Sequence, residues 1–561
     1  MTTKAGARAV IKGSGVGSRS ALGQARWIGA LEARSGPAKS FQSRDELLGS
    51  LRDSLAQVEA ILATAEAGGE AGEILAAQSM IAGDPTLPAK LLPLITSLEL
   101  RPEDLATAFS AVAAELRKLG GYIGERADDV EEIGRQVSSI IFDGGPSDQP
   151  AGTISAAPSD VLVTRNLSAL EASSLEPATV AAIITGSGGP TGHVALILKA
   201  KKIPALVGAA ELDAIPDGAQ VFVDPLRSRA ILFPSGEDLE TTHETRFKRT
   251  TRSILAEGSV SLLANVGSIP DARLGYEAGA AGIGLLRTEL IFLDRTAAPG
   301  IEEQLKIYRE IAQVFRPRPS LRSTKVVFRT LDLGPDKRLP FISEGDEENP
   351  ALGMRGIRLA SKYPELLSDQ LGALGQLCGE ADLPEIWTMA PMVTNEHEVL
   401  GLAALARARN VKTLGAMIEV PAAAAGIGRI IRHLDFVSIG TNDLAQYFFA
   451  ADRNSAISSD LIDPWDPGFL ALVASVVRTC NKRLKPVGVC GETAADPLLA
   501  IVLVGLGVDS LSMAPASIPE VATALGSVST SKARRLAQAA LQAPSGEAAR
   551  EALIEKLSAS R

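Results

Sequence analysis

One of the four histidines in the chain, His193, follows a glycine-rich turn and begins an apolar stretch in GSGGPTGHVALILKAKKIPALVG, residues 186–208. Gly188 and Gly189 let the backbone approach a ligand closely, and Thr191 can cap the helix that the apolar residues predict. The first-turn amides of such a helix favour an anion, and a neutral imidazole beside them can attack phosphorus. His193 is therefore either a phosphoryl acceptor or an ordinary structural or surface histidine.

A second set of reactive side chains lies at or just after the ends of short apolar runs in residues 259–561. It includes three arginines, Arg287, Arg329 and Arg355. Guanidinium groups bind carboxylate and phosphate through paired hydrogen bonds, so arginines that meet at one mouth favour a small, multiply charged anion. Each arginine taken alone is more typical of a surface salt bridge.

Two carboxylates and one thiol end neighbouring runs. Glu419 and Asp443 close the fifth and sixth runs, and Cys490 lies in GVCGET after the seventh. Mg²⁺ prefers one or two carboxylates with phosphate oxygens and water, so the pair predicts a magnesium site; the alternative is a salt bridge to the arginines. Cys490 is either a small buried apolar residue or a thiol that exchanges a proton with a substrate carbon.

The elements that must position these side chains are eight apolar strand candidates separated by helical stretches. In order they read SLLANV, GIGLLRTE, KVVFRTLDL, EIWTMAPMV, TLGAMIEV, DFVSIGTND, KPVGVCGE and SLSMAP. Eight strands with helical crossovers predict a (β/α)8 barrel, in which active-site residues lie at the carboxyl ends of the strands. The arginines, carboxylates and thiol are therefore expected at one mouth.

The part before the barrel changes from strands to helices and back. Strand and turn patterns occupy residues 1–36 and 143–236, whereas residues 37–142 carry apolar side chains at helical spacing. These patterns predict a multidomain α/β protein. A small β/α domain, 1–36 and 143–236, holds a helical-bundle insert, 37–142, and a linker helix, 237–258, precedes a TIM barrel, 259–561.

Composition excludes several function classes. The chain is 46% apolar and 22% charged with a formal net charge of −10, which favours globular domains and argues against nucleic-acid or membrane-surface binding. No uncharged run approaches the length of a membrane span, so no membrane insertion is expected. The three cysteines lack CxxC spacing, which favours a cytoplasmic protein.

Several motifs together resemble a known family. They are GGPTGHVALILKAKKIPALVG, GIGLLRTELIFLDR, FRTLDLGPDK, NPALGMRGIRL, GAMIEVPAAA, DFVSIGTNDLAQYFFAADR and VCGETAADP. The first resembles a phosphohistidine motif and the others resemble successive signatures of the phosphoenolpyruvate-utilising enzymes. Their order and spacing are similar to enzyme I of the bacterial sugar phosphotransferase system, over nearly the whole chain. The resemblance implies a swivelling phosphohistidine domain followed by the barrel.

The resemblance also implies a reaction. Phosphoenolpyruvate would bind the barrel with Mg²⁺ and phosphorylate His193 at Nε2, and Cys490 would protonate the enolpyruvate carbon to give pyruvate. The group would then pass to the small carrier protein HPr, docked on the helical insert, for sugar uptake. The family implies a homodimer formed through the barrel, metal ligands Glu419 and Asp443, and substrate contacts from Arg287, Arg329, Arg355, Asn442, Asp443 and Arg453.

Departures from the family pattern concern rate and partner choice. Pro190 stands where many relatives have arginine, Gly192 replaces a hydroxyl residue, Pro335 replaces a glycine, and Gln78 stands where relatives often have histidine. A nucleotide-dependent relative would need a large nucleotide-binding domain, for which the residues before the phosphohistidine motif are too few. The remaining alternative is a catalytically weak, phosphoenolpyruvate-sensing regulatory protein, which would need neither a nucleophile nor a proton donor.

Overall fold

The computed structural model describes most of the chain. The described residues are 8–17, 19–28, 38–64, 75, 78–119, 127–142, 157–189, 193–236, 238–239, 255, 258, 260–292, 295–316, 324–332, 339, 341–342, 349, 351–452 and 461–558. The chain divides into two compact units, Met1–His243 and Glu244–Arg561. Most of the segment for which the sequence predicts a linker helix lies outside the described residues.

The first unit contains an eight-stranded mixed sheet. Its strands are β1 Ala9–Lys12, β2 Ser14–Val16, β3 Ala21–Trp27, β6 Asp160–Thr164, β7 Ala182–Thr185, β8 Ala205–Val207, β9 Gln220–Asp224 and β10 Arg229–Leu232. They lie side by side in the order β1-β10-β9-β3-β6-β7-β8-β2. β3, β6, β7 and β8 run parallel to their neighbours in that series. Strands from both sides of the helical segment therefore build one sheet.

Helices fill the segment between β3 and β6, together with a short two-stranded ladder of β4 Lys39–Ser40 and β5 Glu99–Leu100. The helices of this unit are α1 Arg44–Thr64, α2 Leu87–Leu91, α3 Pro102–Leu119, α4 Ala127–Phe142, α5 Ala169–Ser174 and α6 His193–Ala200. Leu47, Leu51 and Leu55 of α1 are 0–2% exposed. Their apolar stripe packs in the same core as Phe109 of α3 and Val137 of α4, which explains why the helical spacing was readable in the sequence.

The second unit is a closed barrel of eight parallel strands, so the predicted (β/α)8 fold is confirmed. The strands are β11 Ser261–Val266, β12 Ile283–Arg287, β13 Lys325–Arg329, β14 Glu385–Ala390, β15 Leu414–Ile418, β16 Phe436–Ile439, β17 Val487–Val489 and β18 Ser510–Met513. Each lies within one of the eight predicted apolar runs. Apolar residues follow one another almost without interruption in these runs, because a parallel strand covered by helices is buried on both faces.

Helices follow the barrel strands and cover them. They are α7 Ile269–Glu277, α8 Ile301–Val314, α9 Pro364–Leu377, α10 Glu396–Ala408, α11 Pro421–Ile430, α12 Thr441–Phe449, α13 Pro467–Asn481, α14 Pro497–Leu506, α15 Ile518–Leu525, α16 Thr530–Leu541 and α17 Gly546–Ser558. Ser268, Asn395, Asp466 and Asp496 cap the first turns of α7, α10, α13 and α14 with their side chains. These caps satisfy backbone amides that would otherwise lack partners.

Alternate side chains of the strands fill the inside of the barrel. One buried cluster includes Leu285, Val327, Met389, Met417, Phe436 and Cys490. Because strand side chains alternate with a period of two, the same face of β13 carries Lys325 at its amino end and Arg329 at its carboxyl end. The interior therefore has a cationic residue at each end of one strand.

No helix among the described residues combines the length and the apolar character needed to cross a membrane.

Candidate active site

His193 is the first residue of α6. The helix is fixed by Ala195, Ile197 and Leu198, each at most 1% exposed. Gly188, in the turn before it, has φ +95°, a left-handed conformation that favours glycine. The side chain of His193 and residues 190–192 lie outside the described part of the chain, so the effects expected of Pro190 and Gly192 stay predictions.

At the carboxyl ends of the barrel strands, Asp332 connects two of the predicted arginines. Arg355 donates from Nε to Oδ1 of Asp332 at 3.1 Å and from Nη2 to Oδ2 at 2.8 Å. Arg329 Nη1 lies 3.1 Å from the same Oδ2. The side chains of Arg329, Arg355 and Asp332 are 9%, 5% and 2% exposed. The structure therefore brings Arg329 and Arg355 together around a buried carboxylate.

Two further carboxylates complete this network. Arg329 Nη2 donates to Oε1 of Glu289 at 2.6 Å, and Arg355 Nη2 donates to Oδ2 of Asp443 at 3.2 Å. Burial opposes the charge on both guanidinium groups, but the carboxylates around them outweigh it and raise the pKa of Arg329 and of Arg355. Both arginines thus stay cationic despite being buried, as binding a multiply charged anion requires.

Glu419 follows β15 and is 1% exposed. Its Oε1 accepts a hydrogen bond of 2.7 Å from the backbone N–H of Met392. Met392 has φ +59°, an uncommon conformation for a residue with a side chain, and strain of this kind concentrates at functional sites. Burial raises the pKa of Glu419, and the nearby charges of Asp443 and Asp332 raise it further.

The chemistry of Glu419 and Asp443 fits a divalent cation. Both carboxylates are buried, and the charge of Asp443 disfavours the ionised form of Glu419. A cation between such groups relieves their repulsion, and Mg²⁺ commonly uses one or two carboxylates together with substrate oxygens. Among the described residues, no cluster of three or more histidine, cysteine or acidic side chains is arranged to hold a metal.

Cys490 follows β17 and is 5% exposed. Its thiol donates to the carbonyl oxygen of Ile439 at 3.7 Å, and hydrogen bonding with the Ser438 side chain acts to lower the pKa of the thiol. Burial raises the pKa of the thiol to about 11, and Glu419 adds to that effect. Arg287 and Arg329 act in the opposite direction, which places both cations near the sulfur. Cys490 is thus a protonated thiol beside the arginines.

The remaining predicted residues are placed as follows. Arg287 pairs with Arg329 across neighbouring strands β12 and β13. Asn442, on α12, accepts a 2.8 Å hydrogen bond at Oδ1 from the backbone N–H of Glu492. Arg453 and Pro335 lie outside the described residues. Arg287, Arg329, Arg355, Glu419, Asn442, Asp443 and Cys490 therefore all belong to the carboxyl-end rim of the barrel.

Three further residues of the site, Glu289, Asp332 and Tyr447, have no predicted role from the sequence. Tyr447 accepts a hydrogen bond of 3.3 Å from Arg355 Nη1 and donates to the carbonyl of Ala351. Burial raises the pKa of Tyr447 to about 12. The position of Glu289 and Asp332 at strand ends was a signal available in the sequence, whereas Tyr447 lies two turns into a helix and gave none.

Gln78 lies in the helical segment and not at this rim. It is 3% exposed, and its Nε2 donates to Oδ1 of Asp129 at 2.8 Å. A buried polar side chain needs such a partner. The contact gives Gln78 a local packing role in this protein.

Two family descriptions match the chain. "PEP-utilising enzyme, PEP-binding domain" covers residues 242–530, which include the barrel rim. "PEP-utilising enzyme, mobile domain" covers residues 156–227, which include His193. The nucleophile candidate and the anion site therefore fall in different family domains.

Named relatives extend over the whole chain. A phosphoenolpyruvate-protein phosphotransferase of Streptomyces coelicolor is 37% identical, covering 98% of this chain and 99% of the relative. One of Haloferax volcanii is 35% identical over 78% of each chain. A solved NMR structure of an Enzyme I protein is 21% identical and covers 42% of this chain and 96% of that one, with a TM-score of 0.32. The chain belongs to the phosphoenolpyruvate-protein phosphotransferase family.

Proposed function

We propose that this protein is a phosphoenolpyruvate-protein phosphotransferase that phosphorylates its own His193 and passes the phosphoryl group to a second protein. The observation that carries the proposal is the cluster of Arg329 and Arg355 with buried carboxylates and the Cys490 thiol at one rim. The Streptomyces coelicolor relative, which matches over nearly its full length, bears this name. The chain keeps a candidate nucleophile, His193, and a candidate proton donor, Cys490, and a protein that only senses phosphoenolpyruvate would need neither. The named relatives give no support to the regulatory alternative.

Phosphoenolpyruvate presents a phosphate and a carboxylate with roughly three negative charges. Arg287, Arg329, Arg355, Asn442 and Arg453 are proposed to hold these two groups. Phosphoryl transfer depends mostly on positioning and charge neutralisation, and the two buried arginines are already oriented by Asp332. Little side-chain entropy is then lost when the substrate binds.

Glu419 and Asp443 are proposed to hold Mg²⁺ together with substrate oxygens. When bound, the ion neutralises charge on the phosphoryl and enolate oxygens. Asp443 also accepts from Arg355, so this residue is proposed to join the metal site to the anion site.

The chain's own groups carry the bond changes. A neutral His193 imidazole attacks phosphorus at Nε2, the phosphorus to enol oxygen bond breaks, and the electron pair forms the enolate of pyruvate. Cys490 then gives its proton to the enolate methylene carbon, which yields pyruvate and a thiolate. The raised pKa of Cys490 keeps the thiol protonated before this step.

HPr is proposed as the acceptor protein, docked on the helical insert, and sugar uptake as the process served. We also propose a homodimer through the barrel and a cytoplasmic location. The free state of Cys378, Cys480 and Cys490 is compatible with a reducing compartment. These finer assignments rest on the family resemblance.

A coupled assay tests the proposed function. Purified protein, Mg²⁺, phosphoenolpyruvate and an HPr are mixed, and pyruvate formation is followed with and without HPr. Continuous pyruvate formation that depends on both HPr and His193 is expected. If His193→Ala forms pyruvate at the rate of the unaltered protein, or if nucleotide is required, the proposed function is wrong.

A further inference from the structure

Resting on the proposed function, we infer that Lys325, through a small cavity inside the barrel and the hydroxyl of Ser438, supplies the proton that restores the Cys490 thiol after each turnover. The proton enters from the end of the barrel opposite to the substrate. Each turnover leaves Cys490 as a thiolate, so a proton source is required before the next one.

The cavity provides the space for this path. It lies toward the amino ends of the barrel strands, is lined by Lys325, Trp387, Ser438, Gly488 and Ser510 among others, and has room for about one water molecule. Lys325 Nζ lies 4.2 Å from the centre of the Trp387 ring. The ammonium group is therefore held against one wall of the cavity.

A glycine keeps the hydroxyls of two neighbouring strands facing the same space. Gly488 pairs with Ser438 of β16 and with Ser510 of β18. A Cβ at Gly488 would lie 2.9 Å from Ser510 Oγ and 3.4 Å from Ser438 Oγ. The missing side chain thus leaves both hydroxyls open to the cavity. Cys490 lies beside Ser438, because its thiol donates to the carbonyl oxygen of the next residue, Ile439, at 3.7 Å, and hydrogen bonding with the Ser438 side chain favours its thiolate.

The acidities favour the direction of transfer. Burial lowers the pKa of Lys325 to about 8, against the opposing effects of Asp509 and Glu385, whereas burial raises the pKa of Cys490 to about 11. The thiolate is therefore the stronger base of the two. Asp509 and Glu385, whose charges act on the pKa of Lys325, are both exposed to solvent.

The proton balance is complete. An N–H bond of the Lys325 ammonium breaks, and the proton passes to the cavity water and then to the Ser438 oxygen as the Ser438 hydroxyl proton moves to sulfur. An S–H bond forms at Cys490. The neutral Lys325 amine then takes a proton from solvent water. No oxidant or other reactant is consumed.

The test measures how often the thiol proton exchanges with solvent. Phosphoenolpyruvate, Mg²⁺ and carbon-labelled pyruvate are incubated with the protein in deuterium oxide. The amount of carbon label that moves from pyruvate into phosphoenolpyruvate measures how often the reversible phosphoryl transfer occurs. The amount of deuterium in the pyruvate methyl group measures how often the Cys490 thiol has exchanged its proton with solvent. The ratio of deuterium incorporation to carbon exchange is the readout.

Lys325→Met and Gly488→Ala should lower this ratio severalfold. When the thiol cannot exchange with solvent, the hydrogen that Cys490 takes from one pyruvate methyl group stays on sulfur and is returned to the next enolate. Lys325→Arg should lower it as well, since arginine keeps the charge and the contact with Trp387 but does not release a proton. The exposed Lys482→Met is the matched control and should leave the ratio unchanged.

An unchanged ratio in Lys325→Met and Lys325→Arg, with carbon exchange intact, would overturn the inference by showing that the thiol exchanges through the substrate mouth. Restoration of the ratio by arginine would assign Lys325 a purely structural role and overturn it too. Failure of carbon exchange in the unaltered protein contradicts the proposed function itself. The two failures are therefore distinguishable.

Discussion

Arg355 and Asp332 form a two-point ion pair, with Nε 3.1 Å from Oδ1 and Nη2 2.8 Å from Oδ2. Both side chains are at most 5% exposed. The same carboxylate pairs with Arg329 at 3.1 Å. Asp332 is therefore the residue that fixes the positions of two cations proposed to bind substrate.

Asp332→Asn should destabilise the barrel by about 3 kcal/mol, because two buried guanidinium groups lose a shared counter-charge. Phosphate or phosphoenolpyruvate should recover part of this loss, since either anion replaces the missing charge. Thermal unfolding with and without anion measures both effects. Glu380→Gln is the control, because its partner Arg309 is 37% exposed and such pairs contribute about 1 kcal/mol or less. Equal behaviour of the two variants would contradict the role of Asp332.

Glu419→Gln should remove the magnesium dependence of substrate binding. In the unaltered protein, Mg²⁺ should raise the thermal stability gained from phosphoenolpyruvate, whereas the variant should gain only the magnesium-independent part. Glu555→Gln, at an exposed position of α17, is the matched control. A variant that keeps the full magnesium effect would rule out Glu419 as a ligand.

Cys490→Ser should slow pyruvate formation by about 10²–10⁴, the usual contribution of a positioned proton donor. In the unaltered protein the pKa of about 11 predicts slow alkylation of Cys490 at neutral pH and faster alkylation as pH rises. Mass spectrometry after alkylation at several pH values measures this trend. The control for activity is Cys480→Ser, on the outer helix α13. Rapid alkylation at pH 7 would disprove the raised pKa.

Lys325 makes a prediction for stability against pH. Its pKa is about 8 in the folded protein and 10.5 ordinarily, so between these values the unfolded chain binds more protons. Stability should therefore rise with pH in that window, by about 1–3 kcal/mol. Thermal unfolding of the barrel between pH 7 and 10 measures the rise, which Lys325→Met should lack and Lys482→Met should keep. A rise that survives in Lys325→Met would exclude Lys325 as its source.

The barrel was predictable because each strand is an apolar run bounded by turns, and the reactive residues at the run ends marked the rim. The ion-pair partners of those reactive residues were not predictable from the sequence. Arg329 finds Glu289 forty positions earlier and Arg355 finds Asp332 twenty-three positions earlier. Such pairs depend on how neighbouring strands and loops bring side chains together, which spacing alone does not reveal.

For Asp443 the ion pair with an arginine is observed, whereas its role as a magnesium ligand stays a prediction. It lies within 3.2 Å of Arg355, as the salt-bridge alternative required, and it lies near Glu419, as a metal pair requires. The sequence left Cys490 as either a buried apolar residue or a reactive thiol; the thiol is buried, and burial raises its pKa, while its role as a proton donor stays a prediction. For both residues the surroundings carry information that the residue type alone does not.

Phosphoryl transfer to His193 is the step on which every other role depends. The direct measurement is incubation of the protein with Mg²⁺ and phosphoenolpyruvate labelled in its phosphoryl group, followed by peptide mapping of the acid-labile label. The predicted result is magnesium-dependent label on the peptide that contains His193, and none in His193→Ala. Label that persists in His193→Ala, or that maps to another residue, would contradict the proposed function.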